Sequence, residues 1–298
     1  MSTIYLNGIY QAKINHLIKE EDINKLNKSD LLNYLKNLNY GQGSNYLSID
    51  NVISFELKNI RKELNELSGS NLLGDIFFVD EDLVNIKIVY KAVYENVLVE
   101  NTSIISRFTK HDLFEFFGNN NEAFISNDDI KLLIKIKEVK EESLKKSLEL
   151  IEKIYYNHIL TLVKNEYPLL LSYFLTKNFN HNLLTFLKFK KRNNIDFNYL
   201  LLEQNNFPKS YWLELFELNN DQIIEKLSST YFGKLTQGLE VFFSTNKTSV
   251  LDKVLNDILT DHAQTLSYNL KSVAPVISYL HLKNNEVIKL REAYYEDK

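Results

Sequence analysis

The stretch Pro275–Arg291, PVISYLHLKNNEVIKLR, decides the reading of the fold. Apolar residues fall at Val276, Ile277, Leu280, Val287, Ile288 and Leu290, close to the stripe of an amphipathic helix. Lys283, Asn285, Glu286, Lys289 and Arg291 stand between and after them. Pro275 suits a first helical turn, where its missing N–H costs nothing. The spacing predicts a helix over 275–295 with one buried face and one densely charged face. Two earlier stretches echo it: NIKIVYK at Asn85–Lys91 and NLLTFLK at Asn182–Lys188, beside NEVIKLR at Asn285–Arg291. Each runs Asn, five residues, then a basic side chain preceded by an apolar one. The steps of 97 and 103 residues are each about a third of the chain. Even spacing in matching helical contexts predicts a threefold internal repeat, over about 1–105, 106–208 and 209–298.

Composition points the same way. The 298 residues include only three Pro and eight Gly, whereas β-rich and Rossmann-type folds need both at many turns. Long helices joined by short polar loops, and an all-α fold, are expected. With 44% hydrophobic residues the chain is globular, and 18 Tyr and 18 Phe supply much of its core packing. The absence of cysteine excludes disulfides, thiolate metal sites and Cys nucleophiles. A net charge of −4 argues against a general nucleic-acid binder. The most apolar run, YPLLLSYFL at Tyr167–Leu175, is far short of the roughly 20 residues a membrane span needs. No signal peptide is read at the start, so a cytoplasmic location is expected.

Along the chain, helices are predicted at about Ile4–Ile18, from a Ser29-Asp30 cap to Tyr40-Gly41, and from Ser48 to Gly69. The third carries the seam Ile53, Leu57, Ile60, Leu64 and Leu67. A helix capped by Asp82 runs through NIKIVYKAVYENV, taken in preference to a short strand at FFVDED. After a connector over Asn101–His111 comes the short helix DLFEFF. One long helical region then spans Asn127 to Tyr167, its centre KEVKEESLKK reading as a solvated, charge-alternating helix face. Beyond Pro168, helices are expected at LLLSYFLTK, Asn182–Arg192, Tyr211–Leu218, Asp221–Leu227, Ser249–Leu270 and Pro275–Tyr295.

Catalytic signatures are missing. There is no P-loop, no G-x-G-x-x-G, no G-x-S-x-G and no H-E-x-x-H. Asp261-His262 is an isolated pair, read as structural or surface. Asp80-Glu81-Asp82 is the one cluster of carboxylates suited to Mg²⁺. With Asp128 it leaves open an alternative, an all-α Mg²⁺-dependent enzyme acting on diphosphates.

Three segments bear a family resemblance: Asp82–Lys87 with Lys91-Ala92, Asn182–Lys188 with Lys191-Arg192, and the ending Pro275…Tyr279-Leu280…Lys283…Glu286…Leu290-Arg291. They resemble the AC39 family of V-type (A/V-type) ATPase subunits, the prokaryotic equivalents of the eukaryotic d subunit. The chain departs from that family where Lys13 and Asn15 stand for two arginines, and where Phe179 replaces the acidic residue before the second Asn. The resemblance implies three helical subdomains about a pseudo-threefold axis, forming a funnel. It implies a non-catalytic rotor subunit between the membrane proteolipid ring and the central-stalk subunits, peripheral on the cytoplasmic face, with the stator membrane subunit as a further neighbour. It calls for no cofactor and no metal. Lys13, Asn85, Lys91, Asn182, Lys188, Glu286 and Arg291 are the expected interface residues, the basic ones and the Asn meeting helix C-termini or acidic side chains. Two plainer readings stay open: that Lys91 and Lys188 merely solvate helices, and that Glu286 and Arg291 tether each other.

Overall fold

Capping side chains and left-handed Asn or Gly residues, more than proline, cut this chain into helices. A computed structural model describes residues 3–99, 101–202, 206–229, 233–270 and 272–295. Among them there is no strand, and the fold is all-α as composition predicts. The chain divides into two compact units: Met1–Leu162 with Leu270–Lys298, and Val163–Asn269.

The first unit begins with α1 (Thr3–Ile14), the single turn α2 (Glu20–Ile23) and α3 (Lys28–Asn37). Then come α4 (Ile49–Ser68), α5 (Leu72–Phe77) and α6 (Val79–Glu95), followed by α7 (Lys110–Asn119), α8 (Asn127–Lys137) and α9 (Leu144–Glu166). Ser48 caps α4 by accepting from Asn51 N–H, and Gly69 ends it at φ 70°, both as the sequence indicates. Ile53 and Leu57 of the α4 seam join Leu31, Leu35, Ile49 and Val52 in a core closed by Val287 and Leu290 of the last helix. Gly41 is one place where only glycine fits: φ is +67°, and a Cβ would stand 2.2 Å from the Val52 carbonyl oxygen.

Three predicted boundaries move. Asn27, not Ser29-Asp30, caps α3, and Asn39 at φ 55° turns the chain before Gly41 is reached. Asp82 does not cap α6; it lies one turn inside and is fully buried. The long region from Asn127 breaks at 138–143, where no Pro or Gly marks it. Val139 is buried there, and the Ser143 hydroxyl accepts from Lys146 N–H to start a new helix. The charged run is solvated as expected, but its centre is a loop.

The second unit holds a 3₁₀ turn at Pro168–Leu170, α10 (Leu171–Lys191) and a 3₁₀ segment at Ile195–Tyr199. It continues with α11 (Lys209–Glu217), α12 (Asn220–Ser228), α13 (Thr236–Thr245) and α14 (Ser249–Ser267). The two short helices predicted after Pro168 are one continuous helix, since nothing between Leu171 and Lys191 interrupts it. Helix α13 is absent from the sequence reading. Its Gly238 would bring a Cβ within 3.0 Å of Leu251, so glycine there serves close helix packing, not a turn. The core is aromatic: Trp212 lies 5.6 Å from Phe179 and 5.7 Å from Phe186, with Phe197 and Phe207 around them.

The final helix, α15 (Ala274–Tyr295), returns to the first unit and packs along α1. It is not the half-charged helix its sequence suggests. Residues 274–281 are buried all round, and Lys283 and Glu286 are buried beyond them. A helix apolar on every side through two turns belongs inside its bundle, and α15 does.

Candidate functional site

Asn85 and Asn182, the first two members of the repeated pattern, perform the same task. Both are buried. Asn85 Nδ2 donates to the carbonyls of Ser103 (3.0 Å) and Phe108 (2.7 Å), while its Oδ1 accepts from Ser103 N–H at 2.6 Å. Asn182 Nδ2 donates to Leu202 O at 3.1 Å, and its Oδ1 accepts from Leu202 N–H at 2.8 Å. Each amide clasps an irregular segment 18 or 20 residues downstream and satisfies backbone groups that no helix would satisfy. At the third position the clasp passes to the next residue. Glu286 Oε2 accepts from Ile18 N–H at 2.6 Å, so α15 holds the segment after α1.

Around two of these clasps lie buried charge clusters. In the first, Asp82 is fully buried between two guanidiniums. Arg61 Nη1 donates to its Oδ1 at 2.8 Å, and Arg107 Nε lies 3.3 Å from Oδ2. Ser106 Oγ, Arg107 N–H and Tyr155 Oη donate to the same carboxylate. Arg61 also reaches Asp75 at 2.9 Å, and Arg107 pairs with Asp75 and with Asp129 at 3.0 Å. Arg107 therefore ties α5, α6, α8 and α9 from the connector between α6 and α7. Burial pulls both guanidiniums down, but the facing acids outweigh it and hold Arg61 and Arg107 above their usual range. Burial pushes Asp75 up, against the pull of Arg107 and Arg61.

In the second cluster Lys283 Nζ stands 2.8 Å from both Glu56 Oε1 and Glu286 Oε1, and 4.1 Å from the centre of the Tyr40 ring. Glu56 also accepts from Gly41 N–H at 2.9 Å. Burial, then Glu286 and Glu56, push the Tyr40 hydroxyl well above its ordinary value, so it stays protonated beside them.

The seven expected interface residues now sort by environment. Asn85, Asn182 and Glu286 are buried and hold backbone. Lys13 is half-buried and pairs with Glu63 at 2.6 Å. Arg291 pairs with Asp50 at 2.9 Å across an exposed surface, so the Glu286–Arg291 tether does not form. Lys91 lies 3.8 Å from Glu95 one turn along α6, exposed, and Lys188 is exposed. Sequence reasoning missed Arg61, Arg107 and Lys283 as organising charges.

The acidic cluster at Asp80–Asp82 is engaged within the fold. Asp82 is saturated by its donors, and Asp80 accepts from Tyr156. Among the described residues no three His or acidic side chains converge as metal ligands. Asp261 pairs with Lys234 at 2.5 Å, not with His262. His262 Nδ1 lies 3.1 Å from Thr176 Oγ1, and Nε2 lies 3.2 Å from Ser172 Oγ. Burial holds His262 below its ordinary value of 6.5. Because the unfolded ring protonates more readily, stability is full above 6.5 and is lost as pH falls from there through the lowered folded value. His262→Gln should therefore lose less stability than the parent between about pH 7 and about pH 5, read from urea midpoints. Equal losses in both would remove His262 from that limb.

The family described as ATP synthase (C/AC39) subunit matches residues 6–292, nearly the whole chain. The chain belongs to the C/AC39 subunit family. That family consists of V-type ATPase subunits, non-catalytic components of the rotary enzyme, as the three resembling segments imply. Among curated proteins, none matches the chain. No described helix of this C/AC39 subunit is long and apolar enough to cross a membrane.

Proposed function

We propose that this C/AC39 subunit is the central-stalk rotor element of a V-type ATPase, seated between the membrane proteolipid ring and the central-stalk subunits. It carries the rotation that couples ATP hydrolysis or synthesis to H⁺ or Na⁺ transport. It works at the cytoplasmic face as a peripheral protein, without cofactor or catalytic step, with the stator membrane subunit as a further neighbour. The observation that carries this reading is the family match over residues 6–292.

The internal ties support it. A part that transmits torque must not shear, and buried clusters of fully paired charges are costly to open, because each lost partner leaves a desolvated ion. The clasps by Asn85, Asn182 and Glu286 support the threefold repeat over 1–105, 106–208 and 209–298, its last copy completed by the segment after α1. Lys91 and Lys188, exposed on their helices, and the half-buried or surface Lys13 and Arg291 are the contact candidates that can reach a neighbour. Asn85, Asn182 and Glu286 contribute through the shape of the body.

Membranes stripped of this chain should keep the proteolipid ring, lose most of the catalytic head and stop pumping. Adding the protein back should restore both, and less so at high salt, since exposed charge pairs are screened within about 8–10 Å at ordinary ionic strength. Stripped membranes that hold the head and pump at normal rates would refute the coupling role.

A further inference from the structure

From Tyr167 to Ile195 the chain contains no Asp or Glu, yet it carries Lys177, Lys188, Lys190, Lys191 and Arg192. In a protein of net charge −4 that is a strong local asymmetry. Helix α10 occupies most of this stretch, and its cations gather in the last turn.

Their environments differ in a telling way. Lys190 turns inward and donates to the carbonyls of Phe216 and Leu218, its ammonium 4.9 Å from the centre of the Phe216 ring. Lys188, Lys191 and Arg192 are exposed and make no ion pair or side-chain hydrogen bond with any described residue. Two other cations in last helical turns are committed, Lys137 to Phe116 O and Asn120, and Lys13 to Glu63. The three are not needed as caps either, because the backbone N–H groups of Arg192 and Asn194 both return to Phe189 O. Positions 188, 191 and 192 share one helix face. Ile195, 48% exposed, follows directly.

We propose that this tip of α10, Lys188 with Lys191, Arg192 and Ile195, is a docking site for a short acidic segment of a protein partner. Charge complementarity is the reason, and the patch's width selects the occupant. Three free cations within about one turn match two or three carboxylates on a peptide or helix end. An anionic membrane plane would meet the acidic remainder of the chain as well, and like charge there opposes it. The inference rests on the coupling reading only in treating Lys188 as a contact residue. The experiment uses no ring or stalk, so either can fail alone.

The probe is a synthetic peptide of about twelve residues, Glu throughout with one central Leu, titrated into the full-length protein at low salt. Amide shifts followed by NMR should concentrate on residues 188–195. Reversal by Lys188→Glu, Lys191→Glu and Arg192→Glu should weaken binding about tenfold or more with an unchanged melting temperature. The same triple reversal at Lys131, Lys135 and Lys140, exposed around α8, should leave affinity within about twofold. Equal weakening by both triples overturns the site. Capture by phosphatidylglycerol vesicles without peptide binding overturns the occupant.

Discussion

Replacing Asp82 with Ala is expected to lower the stability of the first unit by about 3–5 kcal/mol. The substitution removes a fully buried carboxylate and leaves the guanidiniums of Arg61 and Arg107 facing only Asp75 and Asp129. It also frees the Ser106 hydroxyl and the Arg107 N–H, two of the bonds that fix the connector between α6 and α7. A domain's whole stability is about 5–15 kcal/mol, so a loss of this size reaches the threshold of folding. Urea titration followed by far-UV circular dichroism should show an early transition, and thermal melting should fall by about 10 °C. Arg291→Glu is the comparison: its partly exposed pair with Asp50 is worth about 1 kcal/mol or less. If the two variants melt alike, the buried cluster does not hold the unit together.

Phe179→Asp should be more damaging still, although the family resemblance implies an acidic residue at this place. Phe179 stands three residues before Asn182, as Asp82 stands three before Asn85. Where Asp82 meets two arginines, Phe179 meets Phe207 at 4.8 Å and Trp212 at 5.6 Å. Among the described residues the only buried cations are Arg61 and Lys283, both in the first unit, and an unpaired charge in such a core costs several kcal/mol. Phe179→Ala should cost about 3–5 kcal/mol, and Phe179→Asp should exceed it and abolish the folded baseline of the second unit. Trp212 is the chain's single tryptophan, so its fluorescence follows this unit directly. An Asp variant at least as stable as the Ala variant would mean that an unseen cation waits there.

The contrast between these two positions shows what the sequence reveals and what it hides. Helix α4 was legible because seam, cap and stop lie within one short window. The break at 138–143 was not, since a buried Val139 and the Ser143 hydroxyl make it without Pro or Gly. Helix α15 was misread because Lys283 and Glu286, charged by type, are buried against Glu56 and each other. Sequence patterns expose ion pairs three or four residues apart. Arg61 finds Asp75 and Asp82 at 14 and 21 residues' separation, and Arg107 N–H finds Asp82 at 25. Asn85 and Asn182 stand out in the sequence because each opens the same short pattern of Asn, five residues and a basic side chain. Their use as clasps depends on segments whose path only the fold fixes.

The packing of α1 along α15 also sets an order of events during synthesis. Asn7 donates to the carbonyls of Leu270 and Ser272, 263 and 265 residues downstream, and Ile18 N–H waits for Glu286. A ribosome adding roughly 5–20 residues per second delivers those partners about 15–50 s after α1 emerges. Until then the first helix, with Leu6 and Tyr10 buried in the finished fold, has α4 beside it but lacks the α15 packing. The second unit, whose residues are consecutive, can close while the first is still incomplete. The helix made after the second unit is therefore the one that seals α1, and a nascent chain halted before Ala274 lacks that seal.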